Sequence, residues 1–99
     1  MLVYFFQWRL KPGLEAQFEA AWAEVTRDLL TQGSHGSALF DGPQGTVCAI
    51  ARWPDLATRE AASASNPDAR QRMNDAIAET LQALPLTERL NFWAPFPVA

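Results

Sequence analysis

Alternating apolar positions open the chain. Leu2, Tyr4, Phe6, Trp8 and Leu10 fall on one face of an extended segment, and Val3, Phe5, Gln7 and Arg9 on the other, because successive strand side chains point to opposite sides of a sheet. The even face is wholly apolar or aromatic, and the odd face is half apolar. A strand with one face in water shows a cleaner alternation. The segment therefore reads as a central strand with something packed on both sides.

Lys11-Pro12-Gly13 is turn chemistry, with a fixed φ followed by a permissive residue. Beyond it Leu14, Phe18, Trp22, Val25 and Leu29 recur at spacings of four, four, three and four, the apolar stripe of a helix. Glu15, Glu19 and Glu24 favour its N-terminal half, Arg27 lies nearer its end, and Gly33 is a natural stop. Ser34 to Ser37 reads as a connector, Ala38-Leu39-Phe40 as a short strand, Asp41 to Gly45 as a hairpin loop and Thr46 to Trp53 as the returning strand. Val47, Ala49, Ala51 and Trp53 share one face of that strand, opposite Cys48, Ile50 and Arg52. Asp55 is placed to cap a short helix from Leu56 to about Ala64. Asn66-Pro67 repeats the signal, an N-cap residue followed by proline at the first helical position. The helix it opens is expected to carry Ala69, Met73, Ile77, Leu81 and Leu84 and to end before Pro85. Arg89 to Ala94 reads as a final strand, with Pro95 and Pro97 after it.

The order strand, helix, strand, strand, helix pair, strand predicts a split βαβ arrangement over residues 1–99 as a single domain. This is an α+β fold of ferredoxin-like form, with a four-stranded antiparallel sheet and its helices on one face. Nothing remaining in the chain is large enough to cover the second face. Four strands at about 4.8 Å spacing and about 17 Å length give a face of roughly 330 Å² in plan. A patch of that size bearing Val3, Phe5, Ile50 and Trp93 is at the upper limit for a soluble monomer. A homodimer packed sheet on sheet is the simplest closure, at about 800 Å² per partner with edges and tail included. Arg9 and Arg52, on that second face, fit the same interface.

Composition narrows the function classes. The 99 residues are 48% hydrophobic with a net charge of −3, and the arginines are scattered without a basic stripe. Nucleic acid and anionic membrane are therefore not expected as partners. One cysteine, Cys48, and one histidine, His35, exclude an internal disulfide and the usual ligand clusters for a metal. No apolar run approaches the roughly 18 residues of a membrane span, and no export signal is read at the N-terminus, so a cytoplasmic location is expected.

Several segments in order now resemble a known family. They are Arg9-Leu10-Lys11-Pro12-Gly13 closing the first strand, the glutamate-rich helix with Phe18 and Trp22, Gly36 to Phe40, and Ala51-Arg52-Trp53-Pro54 closing a strand. Together they are similar to the antibiotic biosynthesis monooxygenases of the dimeric α+β barrel superfamily. The resemblance implies a ferredoxin-like homodimer with a pocket between helices and sheet in each protomer. It also implies oxygenase chemistry without metal or flavin, or haem degradation in some members. Haem-degrading relatives use an asparagine, a tryptophan and a histidine where alignment on Gly13 and Trp53 puts Phe6, Ala62 and Arg72, so no haem cofactor is expected. The quinone-forming oxygenases match at Trp53, but the position of their asparagine holds Ala49.

Cofactor-free oxygenation needs an apolar cavity, one base and a donor for a developing oxyanion. Phe6, Trp8, Phe18, Trp22, Trp53 and Phe92 are candidates for the cavity wall, and each equally suits a small aromatic-rich core. His35 is the candidate catalytic base, as the one side chain with an ordinary pKa near neutrality; an exposed loop histidine is the alternative. Tyr4 can offer a hydrogen bond to a ligand. Arg72, inward on the family alignment, can bind a phenolate or carboxylate. The candidate substrate-binding set is thus Tyr4, Phe6, Trp8, Trp22, Trp53 and Arg72, with no metal and no cofactor. Three functions stay open: a cofactor-independent monooxygenase acting on a hydrophobic aromatic molecule, a non-catalytic binding or interaction domain, and an isomerase or decarboxylase.

Overall fold

The computed structural model describes residues 1–62 and 66–93. The elements run β1 (Leu2–Leu10), α1 (Glu15–Leu30), β2 (Ser37–Asp41), β3 (Val47–Trp53), α2 (Leu56–Ala61), α3 (Pro67–Asp75) and β4 (Ile77–Thr87), with a short 3-10 turn at Pro43–Gly45 between β2 and β3. The strands form one sheet in the order β2-β3-β1-β4, and every neighbouring pair is antiparallel. This is the α+β arrangement expected, with β1 inside the sheet.

The helix-facing side of β1 is covered as its pattern requires, whereas the side bearing Val3 and Phe5 is the open sheet face. On the even face Trp8 packs with Phe18, Ala49 and Ala76, joined by Phe6, Leu10, Leu14, Trp22 and Met73. Phe18 is 1% exposed and is the largest fully buried side chain. The α1 stripe thus seats on the sheet, with Phe18, Ala21 and Val25 buried. Arg72 ties α3 to α1 by an ion pair with Glu24 at 2.8 Å, and Gln17 donates from Nε2 to the Arg72 carbonyl at 3.0 Å. Both short helices carry the caps expected of them. Asp55 Oδ1 accepts from the Thr58 N–H at 2.7 Å, and Asn66 Oδ1 from the Ala69 N–H at 3.2 Å, with Pro67 in the first turn. At the end of α1, Gly33 sits at φ +99°, and a Cβ there would lie 2.7 Å from Thr58 Cγ2. A left-handed backbone and a close approach together require glycine.

The expected long final helix is corrected. Helix α3 ends at Asp75, and residues 77–87, Pro85 included, form the longest strand. The cause lies in two irregularities of the β1–β4 ladder, between Gln7 and Trp8 and between Arg9 and Leu10. Each inserts one extra residue on β4, so Ile77, Thr80 and Ala83 stand opposite Leu10, Trp8 and Phe6. Directly opposed residues share a face. The inward residues are therefore three apart instead of two, a spacing that imitates a helix. Leu84, the last member of the supposed helical stripe, pairs with Phe5 on the other face and is 44% exposed. Pro85 is accommodated because β4 is an edge strand, where a missing N–H need not break a ladder.

The expected strand at Arg89–Ala94 is corrected as well. Arg89 to Trp93 is non-strand chain that borders the open sheet face beside Val3, Ile50 and Leu86. Trp93 lies over the Arg52 guanidinium at 5.1 Å and donates from Nε1 to Glu88 Oε1 at 2.8 Å. Ala64, Ala94, Pro95 and Pro97, included in the expectations above, lie outside the described residues. No helix among the described residues is long and apolar enough to cross a membrane.

Candidate functional site

The space between helices and sheet is not filled evenly. Beneath the first half of α1, Phe18 and Trp8 meet edge to face at 5.2 Å between ring centres and close the core. Beneath the second half lies a cavity of about 610 Å³. Its floor explains it. Phe6 is flanked in the sheet by Ala49 on β3 and Ala83 on β4, and Tyr4 has Ala51 beside it. With Ala62 at the end of α2, these small side chains leave room that branched residues would occupy.

Aromatic rings make the rest of the wall. Tyr4, Phe6 and Trp8 stack along β1, with ring centres 6.0 and 5.2 Å apart and planes within 19° and 7°. Phe6 and Trp8 line the cavity with Trp22 from α1 and Trp53 from the end of β3. A flat apolar molecule would meet aromatic rings on one side and Val25, Leu29 and Met73 on the other. Tyr4 stands at the edge of this stack beneath Arg59, whose guanidinium lies 3.6 Å from its ring centre.

The polar groups of the cavity come mainly from the short helices. Arg59 and Glu60 enter from α2, Arg70 and Asn74 from α3, and Thr26, Ser37 and Thr80 complete the set. Arg70, Met73 and Asn74 follow the three-and-four spacing of one face of α3, and that signal was available in the sequence. Arg59 and Glu60 had no comparable signal, since their approach depends on where the α2 segment lands.

Three candidates stand elsewhere. His35 is exposed and borders a separate hollow with Phe40, Ile50, Arg52 and Trp93. Its backbone N–H donates to the Arg52 carbonyl at 2.8 Å, and Arg52 N–H donates to the Gly36 carbonyl at 2.9 Å. The connector is thereby pinned to the end of β3 with the imidazole toward the open face, away from the aromatic cavity. Arg72 is turned to Glu24 and Asp68, at 2.8 and 3.2 Å, and is not among the cavity walls. Its hydrogen bond to the Glu24 carboxylate, with smaller help from the one to Asp68, holds its guanidinium above the ordinary value. Phe92 is 82% exposed and lies on the open-face side, so it lines no part of this cavity. No group of histidine, cysteine and acidic residues among the described residues is arranged to hold a metal ion.

No protein-family profile matches the sequence, and no curated protein matches it. Solved structures do match in shape. One is SnoaB, a cofactor-independent oxygenase from Streptomyces nogalater, at 16% identity and a TM-score of 0.76, with 92% of this chain and 95% of that one covered. Another, from Bordetella bronchiseptica and provisionally assigned as an antibiotic biosynthesis monooxygenase, has 22% identity and a TM-score of 0.74 over 90% and 97% of the two chains. A third with the same provisional assignment, from Chloroflexus aurantiacus, has 15% identity and a TM-score of 0.76 over 91% and 94%. At these identities the likeness is one of fold, and it supports the resemblance read from the sequence. The chain has the ferredoxin-like fold of the solved antibiotic biosynthesis monooxygenases.

Proposed function

We propose that the protein is a cofactor-independent monooxygenase whose substrate is a flat, hydrophobic, oxidisable aromatic molecule held in the α1–sheet cavity. The observation that carries this reading is the aromatic wall of Phe6, Trp8, Trp22 and Trp53 around an open space floored by alanines. The fold shared with an oxygenase that needs no cofactor agrees with it.

In this reading the substrate is its own reductant. Glu60, the one carboxylate in the cavity wall among the described residues, takes the proton of a phenol or of an activated ring methylene. Arg70 and Asn74, one helical turn apart on α3, face the resulting oxyanion. The anion passes one electron to O₂, the radical pair joins as a hydroperoxide, and loss of water leaves a carbonyl. A methylene and O₂ thus become a quinone carbonyl and water, and the substrate supplies all four electrons.

The working unit in this proposal is a homodimer joined through the open sheet face. Leu84, Leu86 and Trp93 are 44%, 48% and 48% exposed there. The Nε atom of Arg52 is buried with no hydrogen-bond partner among the described residues.

Oxygen uptake with an anthrone and dihydroxynaphthalene panel, without added metal or flavin, tests the chemistry. Turnover is expected in the wild type and in His35→Ala, with a loss of about 10²-fold or more in Glu60→Gln. Absence of uptake across the panel, with the same compounds still bound, would favour a non-catalytic binding domain.

A further inference from the structure

The cavity holds an imbalance of charge that oxygenation of a neutral phenol does not explain. Two of its wall residues, Arg59 and Arg70, make no ion pair among the described residues, whereas Arg72 on the same helix as Arg70 makes two. Glu60 is the only anionic residue in the cavity wall among the described residues. One guanidinium is accounted for if Arg70 meets the oxyanion of the reaction, and Arg59 is then left over.

Arg59 is also held in a particular pose. Its guanidinium lies 3.6 Å from the centre of the Tyr4 ring, and cation–π attraction keeps it there. A planar guanidinium stacked by its face keeps its in-plane N–H donors free, and their fork matches the two oxygens of a carboxylate. Tyr4 is itself stacked on Phe6. A ligand whose rings lie along Phe6 and Trp8 would therefore project an edge substituent toward Arg59.

We infer that the ligand is an aromatic acid, its rings on the Phe6–Trp8 wall and its carboxylate received by Arg59, with Tyr4 as the positioning residue that sets the guanidinium. This rests on the reading of the cavity as an aromatic small-molecule site, and it adds the charge and orientation of what binds there.

Two probes of matched size, 2-naphthoate and the uncharged 2-naphthamide, separate the two ideas by titration calorimetry at low salt. The wild type is expected to bind naphthoate about tenfold or more tightly than the amide, with a preference that falls as salt rises. Arg59→Gln is expected to erase the preference, with naphthoate losing far more affinity than the amide. Tyr4→Phe retains the ring and the preference; Tyr4→Leu narrows the preference by weakening naphthoate more than the amide. Equal affinity of the wild type for both probes would overturn the acid assignment and leave the aromatic cavity standing. A preference undiminished in Arg59→Gln would overturn the role of Arg59. If neither probe binds, the aromatic-site reading falls and takes this inference with it.

Discussion

Phe18 shows what one side chain contributes to this small core. It touches Trp8 edge to face and is 1% exposed, so truncation leaves a hole that the sheet cannot collapse into. Phe18→Ala is expected to cost about 3–5 kcal/mol, a large share of the roughly 5–15 kcal/mol available to a domain. Urea unfolding checks this through a lower midpoint at an unchanged slope. Asp55 contributes differently. The Thr58 N–H holds its carboxyl below the ordinary value of 3.8, with the Thr58 side chain adding to the effect. A depressed carboxylate gives stability that is complete above that ordinary value and is lost as pH falls through the lower, folded one. Asp55→Ala should therefore melt a few degrees lower than the wild type near neutrality, and the gap should narrow in strong acid. Asp55→Asn should stay close to the wild type in neutral buffer, since an amide oxygen caps as well.

At the scale of elements, the cavity exists because a helix carrying Trp22 and Leu29 spans strands that present Ala49, Ala51 and Ala83 beneath it. The bulged ladder brings Ala83 opposite Phe6, and Ala83 lies on an exposed edge strand, so a larger residue there has room to pack. Ala83→Trp is expected to occupy the cavity, abolish binding of 2-naphthoate and 2-naphthamide, and leave the melting temperature unchanged or raised. A variant that binds both probes as the wild type does would place the ligand elsewhere. The same element scale explains the misread segment at 77–84. Ile77, Leu81 and Leu84 carry the spacing of a helix stripe, but on the twice-bulged strand the inward residues are Ile77, Thr80 and Ala83, and Leu84 meets the other face. Only the pairing with Phe5 decides that.

For the molecule as a whole, the second sheet face is the open question of packing. Val3, Ile50, Leu86 and Trp93 surround a hollow there, and exposed apolar area of that extent favours association. Light scattering at micromolar concentration is expected to give twice the chain mass. Ile50→Glu, which puts a charge at the centre of the face opposite Phe5, is expected to shift the protein to monomer while far-ultraviolet dichroism stays native. A wild-type protein found monomeric would remove the proposed interface.

The even-odd pattern of Leu2 to Leu10, the stripe from Leu14 to Leu29 and the caps at Asp55 and Asn66 were all written in neighbouring residues. Those signals are local: side-chain alternation, helical spacing and a carboxyl or amide placed to accept an N–H three residues on. They determined the first three strands, the principal helix and the inward placement of Phe6, Trp8, Trp22 and Trp53, but not the fourth strand. Tertiary structure alone decided the remainder. It sent His35 to the far side of the sheet through its hydrogen bond to Arg52 and turned Arg72 toward Glu24. It also brought Arg59 over Tyr4, a contact between residues 55 positions apart. Periodicity along a chain records which face a residue shares, whereas a site depends on which faces meet, and that is set by packing between distant segments.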